Sequence, residues 1–132
     1  MINQQIPYRG SKALVASWNT LATIPTNTIV DQSAFMLDIT IQSGNGNNIL
    51  ECCSFIRCFS TYKKVAGVIT RVTYKVQIVR SNSSGGGNSV ELIDGVDYQE
   101  VVNGSNEIEI QINSNTGINT DASWSILLDC IE

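Results

Sequence analysis

The sequence predicts an all-β fold, a single-domain antiparallel β-sandwich of jelly-roll-like form with about eight short strands. Three observations carry that expectation. Apolar and polar residues alternate with a period of two over several segments, and clusters of Asn, Gly and Ser separate those segments. No Ala/Leu/Glu/Lys-rich stretch offers a helix. The chain of 132 residues suits one ordinary domain, and at this size folding buries roughly two-thirds of the extended-chain surface, enough for a core without staples.

Residues 1–27 are the least regular, bracketed by Pro7 and Pro25. They read as an irregular N-terminal arm in which Lys12–Trp18 fits either a short first strand or one helical turn, and residues 28–132 read as the sandwich. In Ser33–Gln42, Phe35, Leu37, Ile39 and Ile41 share one parity, the mark of a half-buried strand, and the turn Ser43–Asn48 ends it. Ile49–Tyr62 is apolar on both parities, as in a strand covered on both faces or broken by a bulge.

Val68–Ser81 alternates again. Val68, Val72, Tyr74, Val76 and Ile78 fall on one side, and Arg71, Thr73, Lys75 and Gln77 on the other. The Gly-rich loop that follows has no Lys-Ser/Thr pair or helix to make it a phosphate cradle. Val90–Ile93 and Val96–Val102 flank the hairpin dipeptide Asp94-Gly95. After the turn Asn103–Asn106, Ile108, Ile110 and Ile112 alternate with Glu107, Glu109 and Gln111. Trp124, Ile126, Leu128 and Cys130 make the apolar side of the last strand.

Composition narrows the chemistry. There is no histidine, so no Ser-His-Asp or Cys-His arrangement exists, and a metal site would have to be all carboxylate or thiolate. The four cysteines, Cys52, Cys53, Cys58 and Cys130, read as reduced thiols packed like small hydrophobes, with a Cys58–Cys130 disulfide as the alternative. Glu107 and Glu109 share a face but sit on a regular strand, where solvated charges explain them better than a glycosidase pair. Asp94-Gly95-Val96-Asp97 lacks the ligand pattern of a calcium loop. A non-enzymatic protein without cofactor or metal is the expectation. The start Met1–Gln5 lacks the pattern of a secretory leader, and no apolar run reaches membrane-spanning length.

Charge is segregated. Arg57, Lys63, Lys64, Arg71, Lys75 and Arg80 occur with no acid among them, and every charge from Val90 onward is acidic. Ion pairs between neighbouring strands of one subunit would use that pattern, and so would a basic surface meeting an acidic one on the next subunit. Phe59, Tyr62 and Tyr74 lie near the bases, as in a single-strand-binding groove. However, alternation sets Arg71 and Tyr74 on opposite faces, and the net charge of −4 opposes nucleic acid.

The phrase Leu92-Ile93-Asp94-Gly95-Val96-Asp97-Tyr98, followed by a polar turn and Glu107-Ile108-Glu109-Ile110, resembles hairpins of phage tail and baseplate proteins and of bacterial adhesin modules. With the Asn/Ser/Thr/Ile-rich strands and the lack of histidine, the chain resembles an accessory virion protein of a tailed phage: a head decoration, neck or tail component. That resemblance implies a structural subunit, assembled in the host cytoplasm into a virion. Such a subunit acts by self-association as a homo-oligomer or by docking on a capsid or tail protein. Candidate interface residues are Tyr8, Arg9 and Trp18 on the arm, with Lys63, Lys64, Arg71 and Lys75 on the basic strands. The competing reading is a carbohydrate- or receptor-binding sandwich, with Asp97, Tyr98 and Asn103 as glycan contacts.

Overall fold

A computed structural model describes residues 4–15, 17–44, 53–81, 98–113 and 121–131 of the chain. Eight strands form: β1 (Gln4–Ala13), β2 (Trp18–Ile24), β3 (Ser33–Gly44), β4 (Cys53–Val65), β5 (Val68–Ser81), β6 (Tyr98–Val102), β7 (Ile108–Asn113) and β8 (Asp121–Ile131). Among the described residues no helix is long and apolar enough to cross a membrane. The expected strand over 90–93, the Asp94-Gly95 turn, the Gly-rich loop, Asp97 and Cys52 lie outside the described residues.

The strands make two antiparallel sheets, a five-stranded one in the order β1-β8-β3-β4-β5 and a three-stranded one in the order β2-β7-β6. The all-β sandwich is therefore the fold. Alternation sorts the core as the sequence implies. Phe35, Leu37, Ile39 and Ile41 of β3, with Ile126 and Leu128 of β8, face Ile108, Ile110 and Ile112 of β7 in one buried cluster. Each such side chain contributes about 1.5–3 kcal/mol by leaving water. The rings of Phe35 and Tyr62 stack within this cluster, with centroids 5.4 Å apart.

Three expectations change. Residues 1–27 are not an arm, because they supply two complete strands. Gln4–Ala13 pairs with β8 along its whole length, and Trp18–Ile24 pairs with β7. Their periodicity is hard to see because β1 is mostly polar and lies at a sheet edge. Second, β4 is covered on one face only: Ile56, Cys58, Ser60 and Tyr62 are buried, while Arg57 and Phe59 are exposed. Third, the register of β4 with β5 shifts, since Thr61 lies opposite Thr73 but Tyr62 opposite Arg71. Val72 is the extra residue of a bulge, which reverses the parity of β5 on either side of it. Ile69 and Arg71 therefore face the other sheet before the bulge, and Tyr74 faces the same way after it.

Cys58 and Cys130 are free thiols. They lie on β4 and β8 with β3 between them, opposite Ile39 and Phe35, so the disulfide alternative fails on register.

Hairpin turns close the molecule at one end. Ala66 and Gly67 join β4 to β5 with positive φ at both positions (52° and 77°), the two-residue geometry that matches strand twist. At Asn103–Asn106, the Asn103 Oδ1 accepts from the amides of Ser105 (2.9 Å) and Glu107 (3.0 Å), which fixes the turn expected there. The crossover from β2 to β3 runs between these tips. Lys64 Nζ holds it, donating to the carbonyls of Thr26 and Ile29, each at 3.0 Å.

Candidate functional site

The strand β6 alternates Tyr98, Glu100 and Val102 on one face, with Glu100 opposite Ile110 of the neighbouring strand. That parity sends a carboxylate between the two sheets, where its side chain is 0% exposed. A charge in that position is costly unless donors surround it. Glu100 Oε1 accepts from the Tyr62 hydroxyl at 2.6 Å. Its Oε2 accepts from Ser60 Oγ at 2.6 Å, Tyr98 OH at 2.7 Å and, more weakly, the Cys58 thiol at 3.4 Å. The Arg71 guanidinium stands 3.6 Å from the same oxygen and lies over the ring of Tyr74, 3.8 Å from its centroid.

The neighbours respond to this burial. Desolvation, reinforced by the Glu100 charge, raises the Tyr62 and Tyr98 hydroxyls above their ordinary range. The Cys58 thiol moves from 9.0 to about 11, mainly by desolvation, partly offset by its hydrogen bond to Ser60. A thiol of that basicity stays protonated at neutral pH and is a poor nucleophile. The Tyr62, Tyr98 and Ser60 hydroxyls all donate to one carboxylate, so the arrangement clamps β6 of the smaller sheet to β4 and β5 of the larger.

No protein-family model matches this chain, and no curated protein matches it. Geometry and sequence therefore carry the functional reading.

The expected interface residues scatter. Tyr8 is half-buried on β1 against the core, and Trp18 is half-buried at the start of β2. Arg9 is exposed on β1 and Lys63 on β4. Lys64 and Arg71 make contacts within the fold, Lys64 with two carbonyls and Arg71 with Glu100 and Tyr74. Lys75 lies opposite Phe59 on β5. Of the glycan candidates, Tyr98 is fully buried and offers no ring face to a sugar. Asn103 is occupied by its turn, its Nδ2 also donating to Glu109 at 3.0 Å. Asp97 lies outside the described residues.

Charge pairing runs within the subunit where it is described. Arg57 bonds Asp38 at 3.0 Å across β4 and β3, and Arg71 meets Glu100 across the sheets. On the outer face of the smaller sheet, Glu109 accepts from Thr20, Asn103 and Gln111, and these bonds lower its pKa. Sequence reasoning missed Glu100. The available signal was its spacing of two from Tyr98, which places both on one strand face.

Proposed function

We propose that the chain is a non-enzymatic structural subunit that works by burying surface against copies of itself or against a larger shell protein. The observation that carries this reading is an apolar band on the β4–β5 hairpin. Val68 and Val72 are 60% and 56% exposed, and Val65, also exposed, lies directly across from Val68. Among the described residues β5 has one strand neighbour, β4. A long edge strand with exposed β-branched side chains is a template for association unless something covers it. Exposed Lys63 lies on the same hairpin, Glu109 belongs to the opposite sheet, and Glu107 directly precedes the same strand, β7. A head-to-tail contact would bring these unlike charges together and close into a ring or run into a tube. A phage particle as the setting rests on the sequence resemblance alone.

Light scattering at low and high salt tests the proposal. A discrete oligomer is expected, reduced in mass by Val68→Lys or Val72→Lys, both on exposed positions where folding is spared. A monomer at every salt and protein concentration overturns self-association and leaves docking on a different shell protein, read by co-sedimentation with that partner. Oligomers that persist in both variants overturn the hairpin as the contact.

A further inference from the structure

The outer face of the five-stranded sheet carries a polar trough built by register. Arg9 lies opposite Ser125, Ser125 opposite Thr40, and Thr40 opposite Arg57, which sets these four in one row across β1, β8, β3 and β4. The two central positions are short hydroxyl side chains, and the two flanking ones are long cations. Two cavities result, of about 190 Å³ and 210 Å³. They share Thr40 and Ser125 as walls; one extends to Asp38, Arg9 and Arg57, the other to Gln42 and Ser123.

The polar groups in the trough are not evenly matched. Arg57 donates to Asp38 Oδ2 and to Thr40 Oγ1, each at 3.0 Å, so its position is fixed. Asp38 Oδ1 is buried with no hydrogen-bond partner among the described residues. The same holds for Asp129 Oδ1, one outward position further along β8. Both oxygens are closed to solvent, so a ligand meets only the partly exposed remainder of Asp38, which Arg57 holds. Arg9, at the trough's other wall, is an exposed cation. Arg9, Arg57 and Asp38 are the charged residues lining this cavity, in a chain whose net charge is −4. Phe59, directly across from Asp38 and partly exposed, adds an apolar surface at that end.

A hydroxyl donates and accepts at once, so a polyhydroxylated chain matches the Thr40 and Ser125 hydroxyls that line both cavities. An anionic group on that chain satisfies Arg9. We infer that this trough binds an acidic oligosaccharide, its hydroxyls on Thr40 and Ser125 and a carboxylate on Arg9. The inference does not depend on self-association, and it moves carbohydrate recognition away from Tyr98 and Asn103 to the opposite sheet.

Calorimetric titration of the full chain with short galacturonic acid oligomers tests it, with neutral glucose oligomers of equal length as the control. The acidic oligomer is expected to bind, more weakly as salt rises, and the neutral one at least about tenfold more weakly, the scale of one charge-assisted hydrogen bond. Arg9→Gln should weaken the acidic oligomer by a similar factor, and Ser125→Tyr should abolish binding by filling the trough, both with unchanged melting curves. If Ser125→Tyr fails to fold, Arg9→Gln decides. No binding of either oligomer overturns the site. Equal binding of both overturns the acidic ligand, and binding unaffected by Arg9→Gln or by a folded Ser125→Tyr overturns the location.

Discussion

Glu100 shows how one side chain constrains a whole layer. Its carboxylate is sealed between the sheets and held by Tyr62, Tyr98 and Ser60, with Arg71 as counter-charge. Replacing such a pair with matched apolar groups can be neutral, whereas removing one partner strands the other. Glu100→Gln keeps the shape but turns one acceptor into a donor facing hydroxyls and removes the negative charge that faces Arg71. Destabilisation of about 3 kcal/mol is expected, at the lower end for breaking a buried pair, because Arg71 is itself partly solvated. Urea unfolding reads it as a lowered midpoint with an unchanged slope. A loss below about 0.5 kcal/mol would mean that the cluster contributes no net stability, since that is the scale of ordinary surface substitutions.

At the scale of elements, the β4–β5 hairpin holds a local conflict. Its two-residue turn needs positive φ at both positions, and Ala66 adopts φ 52° against the preference of a residue with a Cβ. Ala66→Asn relieves that strain, because Asn tolerates this region and favours the turn. A gain of about 0.5–1 kcal/mol is expected, seen as a higher urea midpoint. The edge strand β1 gives the opposite case. Removing residues 1–11 strips most of a ten-residue strand from β8 and takes Tyr8 from the core's margin. A lower melting temperature is expected for that deletion, and an unchanged one would return these residues to the status of an arm. Much of this layout was legible: β3, β7 and β8 follow their alternation, and the Asn103–Asn106 turn forms where its residue types place it. The bulge at Val72 was not legible, because an extra residue leaves local composition unchanged while reversing which side faces inward. Arg71 and Tyr74 therefore read as opposed in sequence and stack in the structure. Glu100 was hidden differently: its strand position was right, but its charge suggested solvent, and only the donors arriving from β4 and β5 make burial tolerable.

For the whole molecule, the same cluster sets how stability depends on pH. Folding raises the Cys58 thiol from 9.0 to about 11 and raises the Tyr62 and Tyr98 hydroxyls above 10.0. In each case the folded state holds a proton that the unfolded chain releases more readily. The stability linked to Cys58 is therefore fully present below about pH 9 and is lost as pH rises towards about 11, with the tyrosines adding loss in the same direction from about pH 10. The urea midpoint is expected to hold level below about pH 9 and to fall from there towards about pH 11. Cys58→Ala should lower stability at every pH by removing a packed side chain, yet flatten the early part of that decline, because one titrating group is gone. Comparing the slopes rather than the midpoints separates the two effects. A wild-type midpoint that stays level across this range would mean that the thiol and both hydroxyls ionise as freely in the fold as outside it, which the sealed carboxylate beside them forbids.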